Sequence, residues 1–574
     1  MATTASENAG SSSGPPMPSI FNSDAQEGGG PDQTDEELAL AEEFRISKGL
    51  PKAYKIRSGQ DLETCPPYNY YNLYNGHTVE ELWDSKGDTL VYLSAKGDKD
   101  PTPSFCVQSS TLLGISGYWL AALSRDSWQA GFKIDRDKYP AASLALFFAP
   151  GEPTRPGRNK EPNALDLLRH YVTIRNVFAC IFGVSCVDLH EDDSAYPLFS
   201  DFVDRIFMYC HGAGADSKFS ETLSAFLEQS GLCDVRNDPV KAVALLRLAD
   251  AFELKTFYHE AFSHCVGMWP QVRKCEENLS KPLARLVDDR YKCLMAKVDD
   301  VVIAIKAFQF KAFWKIKPPF FRDQPRDILQ GCNEMGSFLS KYYSQTMSRR
   351  WPPKTIASRT VLGKVYADAI ALYLLLADTR TARYSTTLGP ATDSGLTRYE
   401  HLLYGFDRTV SKRGNYLTYG LPIFPDFSRQ NNPVPALLLV PQPQPPPSGL
   451  GIPNDYADRV LNEDQLNQIL SKLYNDDGMR GMDGGDDGNS SEAIRTAFMG
   501  FEKDLMKRKA KTPRGIADFR KGIWMMVYFL ISMMEEVCVD EAVLFRDGVE
   551  YFLSADTKGI CLWENTDDLT PARR

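Results

Sequence analysis

The sequence predicts an α+β fold that is mostly helical, on three observations. Two short apolar runs, Thr89 to Leu93 and Phe105 to Val107, flank a turn at Gly97 to Pro103 and read as a β-hairpin. From Asp238 to about Asp378, apolar residues recur at helical spacing with little interruption. Farther on, Ile494, Phe498, Phe501 and Leu505 stand at i, i+4, i+7 and i+11, and the run Ile523 to Met534 is apolar at every position except Ser532.

The elements follow in order. Residues 1–35 are rich in Ser, Gly and Pro and are expected to be a disordered tail. A 36–86 extension holds a short helix at Glu36 to Phe44 and an aromatic cluster, Tyr68 to Tyr74, before the Asn75-Gly76 turn. Such rings can stack on bases, but without basic neighbours their expected role is to cover a core. Pro150 to Pro162 reads as a loop ahead of a helix over 164–183. Asp238-Pro239 starts another helix, the Asp as N-cap and the Pro at a first-turn position where its missing N–H costs nothing.

Four further helices are expected, Leu283 to Cys293, Val298 to Trp314, Ile328 to Tyr343 and Val361 to Ala377, giving a helical domain over 271–430. Eight prolines between 431 and 455 mark a linker or surface strap. The remaining segment, 456–574, opens with a capping box at Asn462 to Gln465, with Leu461 and Leu466 placed as a hydrophobic staple. Leu466, Ile469, Leu470 and Leu473 supply its apolar stripe. An acidic loop, 475–489, precedes two helices, the second over 515–538. A terminal hairpin, Tyr551 to Leu553 against Ile560 to Trp563, is expected to pack on Ile523 to Met534. No internal repeat is evident.

Composition narrows the function classes. A net charge of -10 on 574 residues argues against a general nucleic-acid binder. Twelve cysteines contain no C-x-x-C pair, so zinc ribbons, RING fingers and thioredoxin motifs lack ligands. The opening residues do not resemble a signal peptide, and the longest apolar run falls well short of the roughly twenty residues a membrane span needs. An intracellular protein, cytoplasmic or nuclear, with reduced thiols is the expectation.

Phe105, Val107, Leu112, Ser116 and Trp119 stand at the offsets of a strand ending F-x-V that leads into a helix, and they resemble the opening of a BTB/POZ domain. Val177, Phe178, Ile181, Phe182 and Gly183 are similar to that family's next landmark, an apolar helix closing on a glycine turn. Leu245, Leu246, Ala249, Phe252, Leu254 and Phe257 resemble its later L-L-x-x-A pattern. The resemblance implies one domain over 87–270, with insertions near 124–163 and 187–237, in which Phe105–Leu123 packs on Leu245–Phe257. Gln108-Ser109 stands where the family carries His-Lys. The whole chain also resembles a group of filamentous-fungal proteins of unknown function.

The motifs that suggest chemistry are incomplete. His259-Glu260 and His264 evoke a zinc-protease helix, but histidines five apart are rotated by about 140° and cannot share a metal. Two surface or half-buried histidines are expected instead. Gly114-Ile115-Ser116-Gly117 is one residue short of a nucleophile elbow. Asp483, Asp487 and Gly488 fit part of a calcium loop whose twelfth position is Ile494, which has no carboxylate. Gly212-Ala213-Gly214 lacks the third glycine of a dinucleotide fingerprint. Lys306, Lys311, Lys315 and Lys317 scatter round a helix whose Ile303, Ala307, Phe310 and Trp314 line one face, so packing is expected there. Lys507, Arg508, Lys509, Lys511 and Arg514 form a basic cluster suited either to nuclear import or to a solvated helix end.

The expectation is therefore a protein–protein interaction module, an adaptor or assembly scaffold, with no catalytic, cofactor-binding or metal-binding residues to assign. Protein partners follow, and the BTB resemblance implies homo-oligomers or cullin-type ubiquitin ligases. The alternative is an enzyme with an unrecognised site in the helical region, built from Asp288, Asp289, Asp299 and Asp300.

Overall fold

The computed structural model describes residues 35–56, 64–74, 76–94, 101–124, 132–150, 163–190, 198–211, 217–308, 326–347, 350–378, 421–422, 460–471, 473–474, 490–509, 512–540 and 543–561, with Met479 and Trp563. The predicted tail up to residue 34, the proline-rich linker, the Gly212 to Gly214 run and all but Met479 of the acidic loop lie outside these, and Asp35 begins a helix. The chain forms two compact units, Met1–Gly231 and Leu232–Arg574.

The first unit contains α1 (Asp35–Lys48), β1 (Lys52–Lys55), α2 (Tyr71–Tyr74), β2 (Thr89–Tyr92), β3 (Phe105–Val107), α3 (Ser109–Leu113) and α4 (Gly117–Ala122). It continues with β4 (Leu144–Phe147), α5 (Ala164–Phe182), β5 (Val187–His190), α6 (Leu198–Cys210) and α7 (Ser217–Ser230). The hairpin is present: β2 runs antiparallel to β3, with Leu90 opposite Cys106. On its other edge β2 pairs with β4 in parallel, and β1 pairs separately with β5. Every residue of β2 is buried, which is why it reads as an unbroken apolar run and not as an alternation.

The single helix suggested by Leu112, Ser116 and Trp119 is two helices with a break at Gly114 to Ser116. Ser116 is extended and donates its hydroxyl to the Tyr209 carbonyl at 2.6 Å. That carbonyl lies in the last turn of α6, where the helix itself supplies no partner. The break lets Trp119 enter the core, fully buried, with ring centroids 5.8 Å from both Phe178 and Tyr209.

Helix α5 is the axis of this unit. Asn163 and Asp166 form a capping box at its start, and Gly183 closes it in the left-handed conformation that glycine adopts without strain. Two polar residues in its buried face hold neighbouring segments. Asn176 exchanges two hydrogen bonds with the main chain of Val187, at 2.6 and 3.0 Å, and so anchors β5. Arg175 reaches Glu81 and the Ser185 carbonyl and lies against the Tyr68 ring. Burial raises the Glu81 carboxyl, but Arg175 and Lys55 more than offset that and leave it below the usual range. The tyrosine cluster packs as expected, Tyr71 and Tyr74 edge-on to Phe44.

The second unit begins with α8 (Pro239–Ala251), α9 (Lys255–Gly267), α10 (Trp269–Val272) and α11 (Lys281–Ala307). Then come α12 (Arg326–Thr346), α13 (Arg359–Leu376), the short antiparallel pair β6 (Ala377–Asp378) and β7 (Leu421–Pro422), α14 (Glu463–Ser471), α15 (Ser490–Lys509) and α16 (Pro513–Cys538). Asp238 caps α8 through Val240 and Lys241, and the Asn462–Gln465 box caps α14. Helix α16 is buried nearly all round. A methyl on its Gly522 would collide with the Ile328 carbonyl, and one on Gly331 of α12 with the Phe519 carbonyl, so the two backbones meet where only glycine fits.

Four expectations are corrected. The division between units falls at Gly231, so Phe105–Leu123 and Leu245–Phe257 belong to different units instead of one 87–270 domain. Within the second unit, Leu245, Leu246 and Ala249 are buried where α8 packs on α9. The two helices predicted over 283–314 are one continuous α11 up to Ala307, because nothing between Cys293 and Val298 breaks a helix. Ile303 is exposed, and the buried stripe is Leu294, Val298, Val301, Val302 and Ile305; Phe310, Trp314, Lys311, Lys315 and Lys317 lie outside the described residues. Finally, residues 551–561 form no β-hairpin. They make a turn at Lys558-Gly559 without strand pairing, and Arg290 and Tyr258 of the body donate to the Lys558 and Ile560 carbonyls.

Two measurements test the first unit. Trp119→Ala should cost about 3–5 kcal/mol in urea unfolding of the full chain, the usual loss for a large core aromatic. A change under about 1 kcal/mol would contradict its burial. His170 accepts from Arg205 at 2.9 Å and donates to the Phe148 carbonyl at 3.0 Å, and burial, then the Arg205 charge, depresses it to about 4. A depressed histidine is neutral in the fold while the unfolded chain takes up a proton. Its contribution is therefore complete above about pH 6.5 and is lost as pH falls to 4, roughly 2 kcal/mol after allowing for partial exposure. His170→Gln, which keeps a donor and an acceptor, should flatten that part of the stability–pH curve.

Candidate functional site

The residues singled out for catalysis do not converge. Asp288 accepts from the Trp269 indole at 2.7 Å and from Lys292, which together hold its carboxyl below the usual range. Asp289, Asp299 and Asp300 are exposed on α11, and eleven residues of helix put the second pair about 16 Å from the first. Among the described residues no three His, Cys, Asp or Glu side chains are placed to hold a metal ion. No described helix is long and apolar enough to cross a membrane. Lys507, Arg508, Lys509 and Arg514 are exposed around the end of α15 and the start of α16, with Lys509 3.9 Å from Glu334.

His264 is not at the surface as expected. It is fully buried, and so is Glu260, one turn earlier on α9. With Nε2–H of His264 donating to Glu260 at 3.1 Å, its Nδ1 is the acceptor for the Tyr551 hydroxyl at 2.7 Å. The Tyr551 oxygen in turn accepts from the Asn237 N–H at 3.2 Å. The Glu260 carboxylate also accepts the main-chain N–H groups of Leu544, at 2.6 Å, and Phe545, at 3.0 Å. A buried carboxylate that receives three N–H donors is well solvated by the protein itself.

The residues that run over this centre, 543–561, are gripped along their length. Arg359 donates to the carbonyls of Arg546 and Val549, Arg236 to that of Asp547, and Asn237 to that of Gly548. Arg290 reaches the Lys558 carbonyl and Tyr258 the Ile560 carbonyl. Tyr551 crosses Gly267 so closely that a Cβ there would sit 2.6 Å from the Phe552 carbonyl and overlap the Tyr551 ring. Leu553, Ile560 and Cys561 are buried, and Cys561 lies 3.6 Å from His259. The segment therefore docks, as expected, but on α9 and α11. It touches α16 at its end, where Ser554 donates to the Val537 carbonyl at 2.6 Å.

Beside this cradle, an open cavity of about 610 Å³ lies where α10 turns into α11. Trp269 and Leu279 line it together with Arg273, Lys281, Arg285 and Asp288. Cations and carboxylates alternate around it. Such a lining suits a polar peptide surface better than the apolar pocket typical of a small-molecule site.

A second feature lies in the first unit. Leu113 (43 % exposed), Leu120 (66 %) and Met208 (43 %) are large apolar side chains open to water on α3, α4 and α6. Tyr118, on the same turn of α4 as Leu120, packs against Tyr209 with ring centroids 4.9 Å apart. Gln108 and Ser109 are engaged within the chain: Gln108 bonds Asp84 and the Lys86 carbonyl, and Ser109 bonds Asp88 at the start of α3.

A family model described as a domain of unknown function (DUF8004) matches residues 220–310. No curated protein and no solved structure matches the chain. The matched residues run from within α7 past the end of α11. They include most of the cradle, with Arg236, Glu260, His264 and Arg290, and the residues that line the cavity.

Sequence reasoning compared His259 with His264 and so missed the pair that matters. Glu260 and His264 are four apart and share a helix face, which was legible. Tyr551 carried no signal, since nothing local ties it to a residue 287 positions earlier.

Glu260→Gln keeps one acceptor oxygen but sets an NH2 group in place of the other, against an N–H that it cannot accept. It should cost about 1–3 kcal/mol, the price of leaving one buried donor unpaired. Chemical unfolding measures that loss, and limited proteolysis should show faster cleavage within 543–561. Unchanged stability would mean that the carboxylate does not hold the segment.

Proposed function

We propose that this chain is a protein–protein interaction protein, an adaptor or assembly scaffold without catalytic activity of its own, and that the α3–α4 surface of the first unit receives a second copy of the chain. The exposure of Leu113, Leu120 and Met208 carries this reading: they stand on α3, α4 and α6, of which α4 packs on both others, and a partner relieves the water contact of large apolar side chains. The BTB/POZ resemblance supports it. The strand Phe105–Val107 leads directly into α3, the apolar helix α5 ends on Gly183, and the L-L-x-x-A pattern lies in a helix. Homo-oligomers are what that resemblance implies. The assignment of the three landmarks to two units weighs against one undivided BTB-like domain, so the reading rests on the surface first and on the resemblance second.

An intracellular location, cytoplasmic or nuclear, belongs to the same proposal. None of the twelve cysteines is in a disulfide, and most are buried, as a reducing compartment allows.

Sedimentation equilibrium of the full chain tests the proposal. The wild type should self-associate, and Leu113→Asp with Leu120→Asp should be monomeric at an unchanged melting temperature, because both side chains already face water. A monomeric wild type, or an oligomer indifferent to both substitutions, overturns it.

A further inference from the structure

We propose that the surface formed by the residues just before α8, by α9, α11 and the start of α13 is a binding site for a polypeptide segment, and that its occupant, residues 543–561, is held as an exchangeable ligand, so that the same segment of a second copy can take its place. Segments integral to a core satisfy their main chain within helices and sheets. This one is read by side chains instead. Arg236, Asn237, Tyr258, Glu260, Arg290 and Arg359, spread over 124 positions of sequence, each donate to or accept from its backbone. That is how a preformed site recognises a peptide: main-chain bonds give affinity, and pockets for particular side chains give specificity.

Specificity comes from Tyr551 and Ile560, while Leu553 packs with Val543 and Val549 of the segment itself. Tyr551 ends on His264, and Ile560 is completely buried. Gly267 acts as the gate, since any larger residue would push the Tyr551–Phe552 backbone off α9. None of these contacts depends on the covalent link to α16. The identical segment of another copy would meet the same donors, acceptors and pockets, which is the condition under which exchange between copies costs little.

The experiment keeps the full chain. A protease site replaces Glu541 and Ala542, the folded protein is cleaved, and a fluorescein-labelled peptide with the sequence of 543–561 is titrated in and followed by anisotropy. The labelled peptide should exchange for the resident segment to one per chain, compete with its unlabelled form, and leave the helical circular dichroism unchanged. A scrambled peptide of the same composition should not bind. Gly267→Ala should weaken binding by more than about tenfold; Arg290→Ala, at the half-exposed rim and harmless to folding, should weaken it by a few-fold. Leu113→Asp with Leu120→Asp should leave exchange untouched, which separates this site from the α3–α4 surface. A resident segment that excess peptide never replaces, loss of helix when it departs, or equal binding of the scrambled peptide would overturn the proposal and make 543–561 a fixed part of the core.

Discussion

A helix that is apolar on every side must be surrounded on every side, and the second unit is organised by that requirement for α16. From Ile523 to Ile531 no side chain is more than 5 % exposed. The glycine contact between α12 and α16 brings two backbones close enough to exclude water along the crossing, and Cys332 adds a bond to the Gly522 carbonyl. Helix α13 lays Tyr373 near Trp524. At the start of the apolar run, Arg520 and Glu502 form an ion pair at 2.9 Å with both side chains fully buried, and Arg520 also donates to the Leu473 carbonyl. One guanidinium thus ties α15 and the end of α14 to α16. Such a pair adds little net stability over an apolar replacement, but it leaves only one register in which neither charge is stranded.

The same logic governs the other polar groups of the interior. Arg175 and Asn176 sit side by side in the buried face of α5, and each is saturated by a neighbouring segment, so the positions of Glu81, Ser185 and β5 are set by satisfying them. Asp368 on α13 is less well served. Its counter-charge, Lys364, is 3.4 Å away, and burial outweighs that attraction and pushes the carboxyl up. Glu260 has more partners: three N–H donors surround it, two of them from the segment that it holds.

Functionally, the described residues that invite chemistry are engaged in holding the chain together. Ser116 holds the end of α6, His264 holds Tyr551, and Asp288 holds Trp269. Among the described residues, Leu113, Leu120 and Met208 and the mixed-charge cavity beside α10 are open to water, as are Leu38, Leu40 and Ile46 on α1. The DUF8004 match covers the residues that line the cavity and most of those that grip 543–561.

The sequence by itself determined the local elements: the Asp238 and Asn462 caps, the stop of α5 at Gly183, the β2–β3 hairpin, and the buried character of 523–534. Each depends on neighbours within one or two turns, where periodicity and capping chemistry act. Tertiary structure decided where units divide, which histidine is buried, and what became of residues 551–561. Alternating apolar residues there read as a hairpin, because an isolated segment can satisfy its backbone only by pairing with itself. In the folded chain Tyr258 and Arg290 take the Ile560 and Lys558 carbonyls, His264 takes the Tyr551 hydroxyl, and Glu260 and Arg359 hold the residues just before Tyr551. These side chains come from helices hundreds of residues earlier, and no local pattern records a hydrogen bond made at that distance.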